Sequence, residues 1–149
     1  MELASADTYI QESPPMRGGS RCVRHKGDAR LSAILVIDDD PVAAKLLELT
    51  FHPKGYRVDI ARDMASGRRA LEAGDHDALI LDIFLPDGSG WDILKYLRLE
   101  LGLTLPVIVL TVHRQEDFAA RATEFGANGY VTKPFSPRDL LAQVEHLTG

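Results

Sequence analysis

The sequence predicts an α/β fold, a doubly wound (βα)5 domain with one five-stranded parallel sheet and helices on both of its faces. Three observations carry this. Several short runs, Ala33-Ile34-Leu35-Val36-Ile37, Ala78-Leu79-Ile80-Leu81 and Pro106-Val107-Ile108-Val109-Leu110 among them, are apolar at every position rather than at every second one. That is the pattern of strands buried on both faces. These and two shorter or mixed strand-like runs alternate, five in all, with stretches whose apolar residues recur at helical spacing. Those stretches are long enough to serve as the crossovers that parallel strands need.

Residues 1–30 carry Pro14-Pro15, Gly18-Gly19, scattered charges and no sustained period of 2 or 3.6, and are expected to form a flexible tail. Its basic residues Arg17, Arg21, Arg24, Lys26 and Arg30 read as a solvated run, with a weak docking segment as the alternative. The folded domain is expected over residues 31–149. Its first strand ends at Asp38-Asp39-Asp40; Asp40 suits an N-cap and Pro41 the first position of a helix with the apolar stripe Ala43, Ala44, Leu46, Leu47 and Phe51. That helix stops before Pro53, Lys54-Gly55 turns the chain, and Tyr56 to Ala61 is the second strand. Asp63 caps a second helix, Met64 to Ala73, closed by Gly74. The third strand ends at Asp82, after which Leu85-Pro86-Asp87-Gly88-Ser89-Gly90 turns the chain into a helix from Gly90 to Leu101. Trp91, Leu94, Leu97 and Leu101 share one face of it, so Trp91 reads as packing. Gly102 ends that helix, and the fourth strand closes at Thr111. A fourth helix follows from about Gln115 to Phe125. Gly129-Tyr130-Val131 is a short fifth strand running into Thr132-Lys133-Pro134-Phe135, and Ser136-Pro137-Arg138-Asp139 opens the last helix with a cap, a proline and an acid. Five such units fit the flavodoxin-like strand order 2-1-3-4-5.

Composition narrows the function. With 149 residues, 45% hydrophobic, the chain can build one full core. Residues 1–30 hold five Lys or Arg against four acids, +1, and the rest holds twelve against eighteen, −6. An acidic globular part argues against direct nucleic-acid binding or an anionic membrane as partner. One cysteine excludes an internal disulfide framework and a cysteine zinc site. No apolar run approaches the roughly 18 residues of a membrane helix, and nothing at the N-terminus makes a secretory signal, so a cytoplasmic location is expected.

The residues that end the strands carry the chemistry. Asp38 and Asp39 close the first strand, Asp82 the third, Thr111 the fourth and Lys133 the fifth. In the order 2-1-3-4-5 these four strands are neighbours, so all five groups gather at one sheet edge, where open α/β folds bind ligands. Capping accounts for Asp40 but not for three further carboxylates. At about 4 Å and an effective dielectric near 20, each like-charge pair would cost about 4 kcal/mol. A cation must therefore join Lys133 there, and oxygen ligands without histidine or cysteine select magnesium, with manganese possible. A magnesium site with open positions suits a phosphoryl group, with Asp82 as the nucleophile that becomes an aspartyl phosphate.

The motifs Ile37-Asp38-Asp39-Asp40-Pro41, Leu81-Asp82-Ile83-Phe84-Leu85-Pro86-Asp87-Gly88, Leu110-Thr111 and Tyr130-Val131-Thr132-Lys133-Pro134-Phe135, in this order, resemble the response-regulator receiver domain of two-component signalling. The resemblance covers about residues 32–148. It implies that Asp82 is the phosphoacceptor, that Asp38 and Asp39 with Asp82 bind Mg2+, and that Phe84 lends the metal its backbone carbonyl. It implies that Thr111 and Lys133 read the phosphoryl oxygens, that Tyr130 is the switch aromatic, and that the peptide before Pro134 is cis. The donor would be a histidine kinase or a histidine phosphotransfer protein. The output would be an unknown downstream protein, or a homodimer, meeting the fourth helix, fifth strand and fifth helix. A receiver catalyses its own phosphorylation and dephosphorylation without turning over an independent substrate.

Two departures stand out. Val112 follows Thr111 where the family usually has a small residue, which narrows access to Asp82. Phe84 and His113 occupy the two positions that the resemblance implies tune loss of the phosphoryl group; Phe84 is expected to shield the phosphorus from water, and His113 reads as a surface residue. A flavin protein is excluded because Asp38-Asp39-Asp40 would repel its phosphate. An aspartate phosphatase would usually carry an acid where Phe84 stands. The alternative from another class is an interaction module of the same fold that is not phosphorylated. The chain ends just after the last helix, which leaves a stand-alone receiver and a piece of a longer regulator both open.

Overall fold

Five strands meet as one parallel sheet, the three central ones apolar along nearly their whole length: β1 (Ser32–Ile37), β2 (Tyr56–Ala61), β3 (Ala78–Asp82), β6 (Val107–Thr111) and β7 (Gly129–Thr132), in the order β2-β1-β3-β6-β7. The structure is a computed structural model that describes residues 32–112 and 116–148, the side chains of residues 116–118 excepted; the predicted tail and His113 lie outside the described residues. The fourth and fifth strands expected from sequence are β6 and β7, so the observed order is the predicted 2-1-3-4-5.

Alternate residues of each strand feed opposite faces, as the pleat requires. Leu35, Ile37, Leu79, Leu81, Val107 and Val109 face one cluster with Leu71 of α2 (Met64–Ala73), Leu94 of α3 (Gly90–Lys95) and Ala122 of α4 (Glu116–Glu124). Ile34, Val36, Ile80, Ile108 and Leu110 face the other, with Leu47 and Phe51 of α1 (Pro41–Phe51) and Leu140, Leu141 and Val144 of α5 (Pro137–Thr148). Each fully buried Leu, Ile or Phe contributes about 1.5–3 kcal/mol, so the central strands β1, β3 and β6 are held from both sides.

Helix starts follow their caps. Asp40 accepts from the Val42 N–H at 2.9 Å with Pro41 in the first turn, Asp63 accepts from Ser66 N–H at 2.8 Å, and Ser136 Oγ accepts from Asp139 N–H at 3.3 Å. Gly74 closes α2 in the left-handed region at φ 71°, where a side chain would be strained.

Two local features differ from expectation. The turn after Asp82 contains a small antiparallel hairpin, β4 (Phe84–Leu85) with β5 (Gly88–Ser89). The third helix is α-helical only to Lys95 and continues as a π-helical turn over Tyr96–Glu100. Within it the Leu101 N–H donates to Tyr96 O at 3.0 Å, five residues back. Within that turn the Arg98 guanidinium donates to the carbonyls of Leu103 and Leu105, both at 2.9 Å, and of Gly126 at 2.7 Å. Among the described residues no helix is long and apolar enough to cross a membrane.

Candidate functional site

The carboxyl ends of β1, β3 and β6 and the segment just past β7 meet at one edge. The β1–β2 ladder runs one step further through the Asp38 N–H, which donates to Ala61 O at 3.0 Å, so the Asp38 side chain is fixed at the strand tip. It is fully buried. Its Oδ1 accepts from the Asp40 N–H at 3.0 Å and its Oδ2 from Lys133 Nζ at 2.8 Å. Asp39, one residue on, is exposed. Asp82 is buried at the tip of β3; its Oδ1 accepts from the Phe84 N–H at 3.0 Å and its Oδ2 from Lys133 Nζ at 3.2 Å.

Carboxylate oxygens of Asp38, Asp39 and Asp82 lie within 4.8 Å of one another. Lys133 is the ammonium that bridges two of them. Burial, with the charge of Asp38, pushes the Asp82 carboxyl up to about 6 against the opposing pull of the Phe84 N–H and Lys133. For Lys133 burial works to lower the pKa, but the hydrogen bonds and charges of Asp38 and Asp82 outweigh it and hold it raised. Three carboxylates against one ammonium leave the cluster short of positive charge. A hard divalent cation with several oxygen ligands fits that deficit and that donor set.

Thr111, the last residue of β6, is fully buried, and its carbonyl accepts the Lys133 N–H at 2.7 Å, setting the Lys133 backbone beside it. The Lys133–Pro134 peptide is cis. Tyr130 stands in β7 opposite Val109, half-buried against the core that α2, α3 and α4 cover, and burial raises its phenol pKa. Phe84, two residues past the end of β3, is 49% exposed, and Val112, directly after the end of β6, is 62% exposed. The structure thus brings Asp38, Asp39, Asp82 and Lys133 together, while Thr111 and Tyr130 stand on the two neighbouring strands.

Asp87, read from sequence only as a turn residue, spans from the hairpin to α2. Its Oδ1 accepts from the Met64 N–H at 2.8 Å and its Oδ2 from the Ala65 N–H at 3.4 Å. The partner lies 23 residues upstream, so only the alternation of β3 and α2 could have hinted at it.

The family model described as response regulator receiver domain matches residues 34–145. The transcriptional regulatory protein DltR of Streptococcus agalactiae serotype III is 38% identical over 111 residues, covering 74% of this chain and 49% of that protein. The transcriptional regulatory protein KdpE of Mycobacterium tuberculosis is 40% identical over 114 residues, covering 76% of this chain and 50% of that protein. The chain spans about half the length of the curated relatives it matches. The solved structure of a putative response regulator from Chloroflexus aurantiacus superposes with a TM-score of 0.74 at 33% identity, covering 79% of this chain and 98% of that one.

Proposed function

The chain belongs to the response regulator receiver domain family of two-component signalling, and from that premise we propose that it is a switch set by phosphorylation of Asp82. The observation that carries the reading is the charge-deficient cluster: three carboxylates within 4.8 Å, one of them at the tip of the central strand, bridged by one lysine. Asp38, Asp39 and Asp82, with the Phe84 carbonyl, are the residues that would hold Mg2+. Bound there, the metal supplies positive charge to the phosphoryl oxygens as they crowd into the site.

A carboxylate oxygen of Asp82 attacks the phosphorus of a phosphohistidine on a kinase or phosphotransfer protein. A phosphorus–oxygen bond forms, the phosphorus–nitrogen bond breaks, and the imidazole leaves with its electron pair and takes a proton. Lys133 Nζ exchanges its hold on Asp82 for the incoming phosphoryl oxygens and keeps its hold on Asp38, and the Thr111 hydroxyl donates to another of those oxygens. Binding the phosphoryl group favours one arrangement of Thr111, and the Tyr130 ring follows it, so the surface of α4, β7 and α5 changes. That surface is the output face, for a downstream protein or a second copy. We infer a cytoplasmic location with it.

The test is intact-protein mass after incubation with acetyl phosphate, with and without Mg2+. Wild type gains one phosphoryl group only with Mg2+, and Asp82→Asn gains none. A wild type that gains none, from acetyl phosphate or from a phosphorylated histidine phosphotransfer protein, overturns the reading in favour of an unphosphorylated interaction module. Half-exposed Phe84, whose N–H already holds Asp82, screens the phosphorus from water. Phe84→Asn shortens the half-life of the phosphorylated protein severalfold; an unchanged half-life removes Phe84 from that role.

A further inference from the structure

The segment that follows Asp82 is fastened at both ends. At its base the Gly90 N–H donates to Ile83 O at 2.7 Å, and a Cβ on Gly90 would collide with the Asp82 carbonyl oxygen, so the returning strand lies directly against the backbone of the phosphoacceptor. Between them β4 and β5 pair as Phe84 with Ser89 and Leu85 with Gly88. At its tip the Asp87 carboxylate takes the Met64 and Ala65 N–H groups, two of the otherwise free amides that begin α2. Gly88 beside it closes on the same residue, since a Cβ there would collide with Met64 Sδ.

The same helix start is capped a second time, independently. Asp63 accepts from the Ser66 N–H at 2.8 Å and from Ser66 Oγ at 2.6 Å. The two acids divide the first turn between them: Asp63 serves its own helix, while Asp87 reaches in from the hairpin. The two acids take different amides of that turn, so the Asp87 contact is not a duplicate of the Asp63 cap, and of the two it alone ties the hairpin to the helix. The hairpin carries Phe84, whose N–H holds Asp82 Oδ1 at 3.0 Å and so leaves Oδ2 to Lys133.

We propose that Asp87 is a positioning residue for the phosphorylation of Asp82: by tying the hairpin to the first turn of α2 it fixes the Phe84 backbone, and through it the orientation of the Asp82 carboxylate. This rests on the reading of Asp82 as phosphoacceptor. Asp87 touches none of the reacting atoms, and its effect passes through the backbone of the hairpin from its tip to Phe84. Misplacing a reacting group by about 1 Å can cost on the order of a hundredfold in rate, so a loosened anchor is expected to show in kinetics before it shows in folding.

Three variants separate positioning from simple capping: Asp87→Ala, Asp87→Asn, which keeps one oxygen acceptor, and Asp63→Ala, which breaks the other cap of the same helix. Two quantities are read in each. One is the rate of phosphorylation by acetyl phosphate with saturating Mg2+; the other is hydrogen exchange of the Phe84 amide in metal-free protein by NMR. Asp87→Ala is expected to slow phosphorylation about tenfold and to speed Phe84 exchange by a similar factor, with Asp87→Asn between it and wild type. Asp63→Ala is expected to lower the denaturation midpoint and to leave both quantities near wild type. Equal rates in Asp87→Ala and wild type overturn the proposal, and so does an equal slowing in Asp63→Ala, which would reduce Asp87 to a cap. A wild type that takes no phosphoryl group is a different failure, that of the phosphoacceptor reading itself, and this proposal falls with it.

Discussion

Lys133 stands between two carboxylates and carries one charge for both. The side chain of Asp38 is fully buried, so without Lys133 it keeps the Asp40 N–H but faces the Asp82 carboxyl with no cation between them. Removing one member of a buried pair costs about 3–5 kcal/mol because the other charge stays behind, and the opening of this pair to solvent at Lys133 puts the expected cost of Lys133→Ala at the low end, about 3 kcal/mol. Asp82 adds a second negative charge beside it, so Asp82→Asn is expected to stabilise the metal-free protein by about 1–2 kcal/mol. The two substitutions are therefore expected not to add. Urea denaturation in the presence of a chelator would show the double variant losing less than the single effects predict, since the stranded Asp38 no longer faces Asp82. Strict additivity would mean that Lys133 and Asp82 do not share one electrostatic site. This much was legible from sequence, because acids at strand ends can be assigned to one edge once the strand order is known. The division of Lys133 between Asp38 and Asp82 was not, because side-chain reach is a property of the packed edge.

At the scale of elements, the boundaries set by caps and glycines were readable: β2 and α2 have the limits that Lys54-Gly55, Asp63 and Gly74 imply. The π-helical turn and the β4–β5 hairpin were not, since two-residue strands have no periodicity and a single turn of five-residue hydrogen bonding leaves the apolar spacing of the helix unmarked. Arg98 of that turn collects three carbonyls, those of nearby Leu103 and Leu105 and that of Gly126, 28 residues away. Arg98→Ala leaves those carbonyls without a charged donor and is expected to cost about 2–3 kcal/mol in urea denaturation. Arg98→Lys recovers only part, because an ammonium cannot fork across several acceptors. A cost below about 0.5 kcal/mol would show that water replaces the guanidinium freely. A second tie joins β2 to the loop before β3, where Asp59 Oδ2 meets His76 Nε2 at 2.8 Å and Arg57 at 3.1 Å. Partial burial works to raise the Asp59 pKa, but the His76 hydrogen bond and the Arg57 charge prevail and hold it below its ordinary 3.8. A depressed carboxyl contributes stability that is present above pH 3.8 and is lost as pH falls through the lower, folded-state value. Asp59 is partly exposed, so the contribution is less than about 1 kcal/mol. Asp59→Asn is accordingly expected to be slightly less stable than wild type at pH 7, the gap closing below pH 3.8. A gap independent of pH would assign the loss to packing.

Across the whole molecule, the sheet brings together residues that are far apart in the chain: Lys133 lies 95 positions from Asp38 and 51 from Asp82. In an unfolded chain these groups rarely meet, so a cation that needs Asp38, Asp39 and Asp82 at once binds the folded state alone. Mass action then ties metal binding to global stability: Mg2+ at a hundred times its dissociation constant adds about 2.7 kcal/mol, several degrees in Tm for a domain of this size. The folded part also carries an excess of acids, so any salt relieves some repulsion, and a monovalent salt at equal ionic strength is the control for that general screening. Asp39 is the informative position, because it is exposed, and none of the core packing depends on it. Asp39→Asn is expected to leave the Tm in chelator within a degree or two of wild type and to remove at least half of the Mg2+-dependent rise. An equal rise in both proteins would mean that Mg2+ acts through diffuse charge rather than through these carboxylates. A rise in wild type alone, absent with the monovalent salt, would make the assembled sheet edge itself the metal site.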